Sequence, residues 1–182
     1  MDSRNYALLG IIAPILGYFF IGVSIAWSPW FRWESNALSD LGHSLHSSTA
    51  SIYNFGLLLT GFLIFVYSIL SLRYFAKWTS LSLAFSAFAL QLVGTFDEVY
   101  GPLHYTVSVL FFVSIGIASL TYAVEKKSYL GVIALFVGLS SWILYWIGIY
   151  SSGVAVPETV STLVILLWVM SSAIKLYRGS DT

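Results

Sequence analysis

The sequence predicts an all-α integral membrane protein, a bundle of six transmembrane helices in one domain over residues 1–182. Composition is the first observation: 58% of the residues are hydrophobic and only 9% are charged, whereas a soluble domain carries roughly 25% charged residues. The second is that six apolar stretches are long enough to cross a hydrocarbon core, which takes about 20 residues of helix.

The six predicted spans are 6–27, 51–72, 78–96, 103–124, 129–150 and 160–176. Helices are expected because lipid offers no partners to an unpaired backbone, and the apolar runs do not alternate as membrane β-strands do. The first stretch is too long for a signal peptide and lacks a small-residue cleavage site, so we interpret it as a retained anchor.

The basic residues predict the direction of the spans. With the N-terminus in the cytosol, the outer segments carry Arg32 alone of the eight lysines and arginines. The seven on the cytoplasmic side are Arg4, Arg73, Lys77, Lys126, Lys127, Lys175 and Arg178. Cytoplasmic loops are enriched in such residues. We therefore expect a protein integral to the cell membrane with both termini cytoplasmic.

Polar side chains gather at the opposite, outer side. All three histidines fall there, and so do five of the eight acids. Asn54 and Gln91 lie within spans but near the same side, and polar groups at membrane depth usually face a bundle interior or a cavity. We predict a pocket open to the outer face, formed by Asn36, Ser39, Asp40, His43, Asn54, Gln91, Asp97, Glu98, His104 and Glu158.

The first outer loop, residues 28–50, is long for a chain of this size, and such loops are often functional. Within it, Leu38, Leu41 and Leu45 recur at i, i+3 and i+7, with polar residues on the other side. This pattern predicts a short amphipathic helix over 36–46 that lies at the membrane interface with its leucines in the acyl boundary.

Four segments resemble an uncharacterised family of six-helix membrane proteins, domain of unknown function 998. They are Asn36-Ala-Leu-Ser-Asp-Leu-Gly42, Tyr53-Asn-Phe-Gly-Leu57, Gly94-Thr-Phe-Asp-Glu98 and Pro102-Leu-His104. The family is distantly similar to the Frag1 and DRAM group of lipid-associated membrane proteins. The resemblance implies a six-helix fold and lipid-related work, and it names no reaction.

The leading functional hypothesis is binding of a membrane lipid or another amphiphile at the outer pocket. The chain could also be an accessory subunit of a larger membrane complex. A formal net charge of zero gives no indication of a nucleic-acid partner. Whether the protein is an enzyme stays open at this point.

The enzymatic alternative is a metal-dependent lipid hydrolase. His43 and His46 are spaced i, i+3, and His104 could complete a three-nitrogen zinc site that activates water. Asp97, Glu98 or Glu158 would then be the general base. Two weaker variants are a Ser39 nucleophile with a histidine base and a haem held between His46 and His104.

Overall fold

The computed structural model describes residues 3–149 and 151–179, and within them it contains only helices, turns and loops. The α-helices are α1 (Ser3–Ala7), α2 (Leu9–Ala26), α3 (Ala50–Leu70), α4 (Lys77–Thr95), α5 (Pro102–Glu125), α6 (Tyr129–Trp146) and α7 (Ala155–Arg178). Three short 3-10 helices, Leu38–Gly42, Leu72–Tyr74 and Glu98–Tyr100, lie in the connections.

Six helical segments are long and apolar enough to cross a membrane, which confirms the predicted fold class. Several of their ends differ from those that the hydropathy pattern predicts. The first segment begins earlier, at Arg4, and the last begins at Ala155 rather than at residue 160. The fifth ends at Trp146; its predicted end, residue 150, lies outside the described residues.

The helices form a closed ring in chain order. Each long helix packs against the next, and α2 packs against α7 to close the ring. Connections 27–49, 96–101 and 147–154 therefore share one end, which we call the loop face. Connections 71–76 and 126–128 lie at the other end, the terminal face. Arg4 lies beside Gly179, so the first and last described helices meet at the terminal face.

The half of the bundle near the terminal face holds the most tightly buried aromatic side chains. Trp168 of α7 is fully buried and stacks on Tyr122 of α5, with ring centroids 4.6 Å apart. Its indole N–H donates to Ser119 Oγ at 3.2 Å. Tyr67 of α3 shares a 2.8 Å hydrogen bond with Ser172 of α7. These contacts join α3, α5 and α7 across the ring, so they hold in place the helices whose other ends form the loop face.

The predicted interfacial helix is the main correction to the sequence analysis. Only Leu38–Gly42 is helical there, as a 3-10 turn. Leu38 and Leu41 are buried in the bundle, with 5% and 0% of their surface exposed, and only Leu45 is exposed. A 3-10 helix has three residues per turn, so Leu38 and Leu41 point the same way. They face the ends of α2, α3 and α7 rather than the acyl boundary.

Candidate ligand-binding site

Three carboxyl groups from distant parts of the chain meet at the loop face. Asp40 belongs to the 3-10 turn Leu38–Gly42, Glu98 begins the turn Glu98–Tyr100, and Glu158 lies in the first turn of α7. The Asp40 and Glu98 carboxyl groups lie close enough to share a hydrogen bond when one of them is protonated, and both lie within electrostatic range of Glu158. We call Asp40, Glu98 and Glu158 the carboxyl cluster.

Residues 36–39 of the first loop donate hydrogen bonds to all three acids. The Glu158 Oε2 atom accepts a hydrogen bond from the Leu38 backbone N–H at 2.7 Å. The Ser39 hydroxyl donates to Glu98 Oε1 at 3.0 Å. Asp40 Oδ2 accepts from the Asn36 side-chain amide at 2.6 Å and from the Ala37 N–H at 3.1 Å. The loop is therefore held by the same groups that form the cluster.

The charge of the cluster changes near neutral pH. Burial, followed by the hydrogen bond and the repulsion with Asp40, raises the pKa of Glu98 from 4.5 to about 7. Asp97 adds a smaller repulsion, and the hydrogen bond from Ser39 acts in the opposite direction. Two carboxylates in contact disfavour double ionisation, so the Asp40–Glu98 pair gains or loses a proton around neutrality.

A cavity of about 150 Å³ extends from this cluster into the bundle. Ser39 and Glu158 line its end at the loop face, and side chains of α2, α3, α4, α5 and α7 form its walls. Val169, eleven residues after Glu158 on α7, lines it about 16 Å deeper, given a rise of 1.5 Å per residue. We call this space the central cavity; it is narrow, long and mostly apolar.

Two hydroxyl groups in the cavity wall have no partner among the described residues. Tyr53 is only 5% exposed, and its hydroxyl makes no hydrogen bond there although it lies near the three acids. Thr60, one to two turns deeper on α3, is 9% exposed, and its hydroxyl oxygen is also unpartnered. Buried polar groups are nearly always hydrogen-bonded, so both hydroxyls mark places where a bound molecule could supply the missing partner.

Three other residues that the sequence assigned to the pocket have other roles, and two of them, Asn54 and Asp97, brace the loop face. Asn54 donates from its amide to the Gly42 carbonyl at 2.8 Å, which holds the first loop on α3. Buried Asp97 accepts from the Val99 N–H at 3.0 Å and starts the turn that carries Glu98. Gln91 reaches the Ala87 carbonyl of its own helix at 3.3 Å and does not line the cavity.

The predicted metal site is not assembled. His43 and His46 lie against each other, with ring centroids 4.3 Å apart. His104 is buried and engaged elsewhere: its Nδ1 is 2.7 Å from the Phe96 carbonyl and its Nε2 is 3.3 Å from Ser108 Oγ. Over the described part of the chain, no three His, Cys, Asp or Glu side chains are placed to hold a metal ion.

The same contacts bear on the haem and serine hypotheses. A carbonyl oxygen only accepts, so His104 Nδ1 donates to it, and Nε2 is within hydrogen-bond distance of the Ser108 hydroxyl. The Ser39 hydroxyl donates to a carboxylate, and within the described residues it has no histidine partner. These contacts therefore add no geometric support to the haem or the serine hypothesis.

The most informative residue that the sequence analysis overlooked is Tyr53. It lies in one of the segments that carry the family resemblance, but there it was considered only as part of a pattern. Tyr18 of α2 is a second, with its hydroxyl 2.6 Å from Thr162 of α7 in the cavity wall. Both are tyrosines within apolar spans. Polar groups at that depth usually face the bundle interior, which is the signal that could have found them.

The ring of six apolar helices, with an internal cavity that Glu158 lines at the loop face, defines a small polytopic membrane protein. Residues 11–175 match the family model described as protein of unknown function DUF998, and the chain belongs to this family. The match confirms the resemblance of the four segments. No curated protein and no solved structure matches the chain.

Proposed function

We propose that this protein binds one amphiphile, a membrane lipid or a lipid-like molecule, with its polar group at the carboxyl cluster and its apolar part in the central cavity. One observation carries the proposal: the same cavity is bounded by Ser39 and Glu158 at its mouth and by apolar side chains along its length. Small-molecule sites in proteins combine a mostly apolar wall with a few polar groups that fix orientation.

The size of the cavity limits the ligand to one apolar body. A cavity of about 150 Å³ matches the engineered protein cavity of roughly that volume that stays dry and binds benzene. Because this volume extends over a depth of about 16 Å, the cavity is only about as wide as a single hydrocarbon chain. The enclosed part of the ligand is therefore one hydrocarbon chain or one small ring, and a second acyl chain would remain in the bilayer.

We also propose that the loop face, and with it the mouth of the cavity, is the non-cytoplasmic side of the cell membrane. The support is the distribution of cations, since seven of the eight lysines and arginines fall near the terminal face and cytoplasmic segments attract such residues. The hydrolase and accessory-subunit hypotheses have no comparable geometric support, and they stay untested.

The test is a substitution in one helix whose larger side chain fills the cavity. Leu90 of α4 lines the cavity, whereas Leu81 of the same helix is 48% exposed on the outer surface of the bundle. Leu90→Trp places an indole in the cavity, and Leu81→Trp is the matched control. We expect lipid extracts of the purified wild type and of Leu81→Trp to contain about one equivalent of amphiphile. In Leu90→Trp the occupancy should fall about tenfold, because the indole fills the space that the ligand would occupy.

Mass spectrometry of the extracts gives the occupancy, and thermal denaturation shows whether each variant is folded. A folded Leu90→Trp protein that retains as much amphiphile as Leu81→Trp contradicts binding in the cavity. A wild type that carries nothing and takes up no added single-chain amphiphile contradicts the proposed function altogether.

A further inference from the structure

We propose that the head group accepted at the carboxyl cluster is a cation, and that the ligand is a single-chain amphiphile with an amine or ammonium head. This inference rests on the proposed function and narrows it from amphiphiles in general to one charge class. It is carried by three features of the described residues: the charge of the cluster, the unpartnered hydroxyl of Tyr53 and the spacing of the three acids.

The cluster carries negative charge that the protein does not neutralise. None of Asp40, Glu98 and Glu158 forms an ion pair with a residue that the structure describes. Their partners are the neutral groups of Asn36, Ala37, Leu38 and Ser39. Buried charges in proteins are normally paired, because leaving one unpaired is costly. A bound cation can therefore take the place of the protons that otherwise reduce the charge of the cluster.

The Tyr53 hydroxyl is the independent sign of a ligand. It is almost completely buried, it lines the cavity within electrostatic range of the three acids, and its hydroxyl makes no hydrogen bond to a described residue. A hydroxyl can accept a hydrogen bond from an ammonium N–H while the carboxylates accept the others. An ammonium group has up to three such donors and no acceptor, so it complements a site made of acceptors.

The spacing of the acids favours an ammonium head over a bare metal ion. Calcium, for example, needs several oxygens within 2.3–2.6 Å of one point, and the acids are not gathered in this way among the residues that the structure describes. An ammonium nitrogen forms separate hydrogen bonds of about 2.7–2.9 Å to oxygens around it. Anionic heads are disfavoured, because like charges in contact repel strongly at low dielectric.

The cluster also makes cation binding depend on pH. The groups that face Glu98 are Asp40 from the first loop, Asp97 on its own turn and Glu158 from α7, all of them acids. Tyr53 of α3 and His104 of α5 are the nearby titratable groups on the other packed helices. Burial raises the pKa of Glu98 to about 7. Deprotonation above that value adds negative charge, so an amine that stays protonated should bind more tightly at pH 8 than at pH 6.

The experiment compares three probes with the same chain: octylamine, octanol and octanoate. The full-length protein is reconstituted in phosphatidylcholine nanodiscs, and binding is measured by calorimetric titration at pH 8. We expect octylamine to bind at least about tenfold more tightly than octanol, with octanoate the weakest. Glu158→Gln and Glu98→Gln should reduce the amine preference, because each keeps a side-chain oxygen acceptor but removes the charge.

Glu34→Gln is the matched control, because Glu34 is an exposed acid of the same first loop and lies outside the cluster. It should leave the amine preference unchanged. A loss in Glu34→Gln as large as in Glu158→Gln would overturn the proposal, since the amine would then respond to general surface charge. Octylamine binding that survives Leu90→Trp would overturn it too, since the probe would then lie outside the cavity.

The possible outcomes distinguish failure of the cationic head group from failure of amphiphile binding itself. Equal affinities for the three probes, all abolished by Leu90→Trp, would overturn the cationic head group and leave amphiphile binding intact. Tighter binding of octanoate would do the same. No binding of any probe, with no amphiphile co-purified by the wild type, would overturn both.

Discussion

At the scale of single residues, Glu98 joins the first loop to the turn that precedes α5. Its partly buried carboxyl group accepts from Ser39 and lies close to Asp40. Water solvates a carboxylate well and this environment does not, so the neutral form is favoured. The protonation state of Glu98 therefore changes the negative charge of the carboxyl cluster around neutral pH.

This environment predicts a pH dependence of stability for the Glu98 side chain. The native pKa of Glu98 is about 7, above its ordinary value of 4.5. Its protonated form is therefore stabilised by folding, and the contribution is complete below pH 4.5 and lost as the pH rises through 7. In thermal denaturation, the melting temperature of the wild type relative to Glu98→Gln should fall between pH 5 and pH 8.

Glu34→Gln provides the baseline for the same measurement, because Glu34 is exposed on the same loop. Its melting temperature should follow that of the wild type over the whole range. If Glu98→Gln also runs parallel to the wild type from pH 5 to pH 8, the carboxyl group of Glu98 is not held in the environment described above.

At the scale of elements, the membrane explains why the spans were predictable. A crossing helix must be long, apolar and fully hydrogen-bonded, and the sequence shows its length and apolar composition directly. The residues at which the spans begin and end were harder to predict. Helix α7 begins at Ala155 and includes Glu158, whereas the predicted apolar span begins only at residue 160. A carboxylate in the first turn is favoured by the helix dipole and here also binds the Leu38 N–H.

In the first loop, the spacing of the leucines along the chain does not determine the type of helix. Leu38 and Leu41 fit one face of an α-helix and one face of a 3-10 helix equally well, because their spacing of three is common to both. The turn ends at His43, whose backbone is extended. What decides the outcome is tertiary: Asn54 binds the Gly42 carbonyl and Glu158 binds the Leu38 N–H. Neither partner is near the loop in sequence.

The candidate site was predictable as a region but not as a set of contacts. Alternation of the spans placed histidines and acids at one end of the bundle, and the structure does bring Asp40, Glu98 and Glu158 together. It does not bring His104 to His43 and His46, because the His104 ring turns inward to the Phe96 carbonyl. Side-chain direction depends on packing across the ring, which spacing along the chain does not determine.

At the scale of the whole molecule, the two ends of the bundle differ in chemistry. The terminal face carries most of the lysines and arginines. There, Glu125 accepts from the Trp78 and Thr79 N–H groups at 3.2 and 2.8 Å, where its charge suits the start of α4. The loop face carries the carboxyl cluster and the end of the cavity that Glu158 lines. Under the proposed function, this difference sets the side from which a ligand enters.

The asymmetry predicts an orientation that labelling can measure. The chain contains no cysteine, so in a variant with one introduced cysteine a maleimide labels this protein only at that position. Ser44→Cys lies on the exposed first loop, and Tyr74→Cys, at a residue that is 77% exposed, lies at the terminal face. A membrane-impermeant maleimide added to intact cells should label Ser44→Cys, and it should label Tyr74→Cys only after permeabilisation. The reverse pattern would place the acidic mouth in the cytosol.

The central claim is that an amphiphile occupies the interior of the ring, and photo-crosslinking tests it most directly. An octylamine carrying a diazirine at the end of its chain is bound to the protein in nanodiscs, irradiated and located by peptide mass spectrometry. We predict adducts on cavity-lining residues such as Leu57, Phe111 and Ile165, competed by unmodified octylamine. Adducts confined to exposed residues such as Phe62, Leu81 and Val113, unaffected by the competitor, would contradict the account.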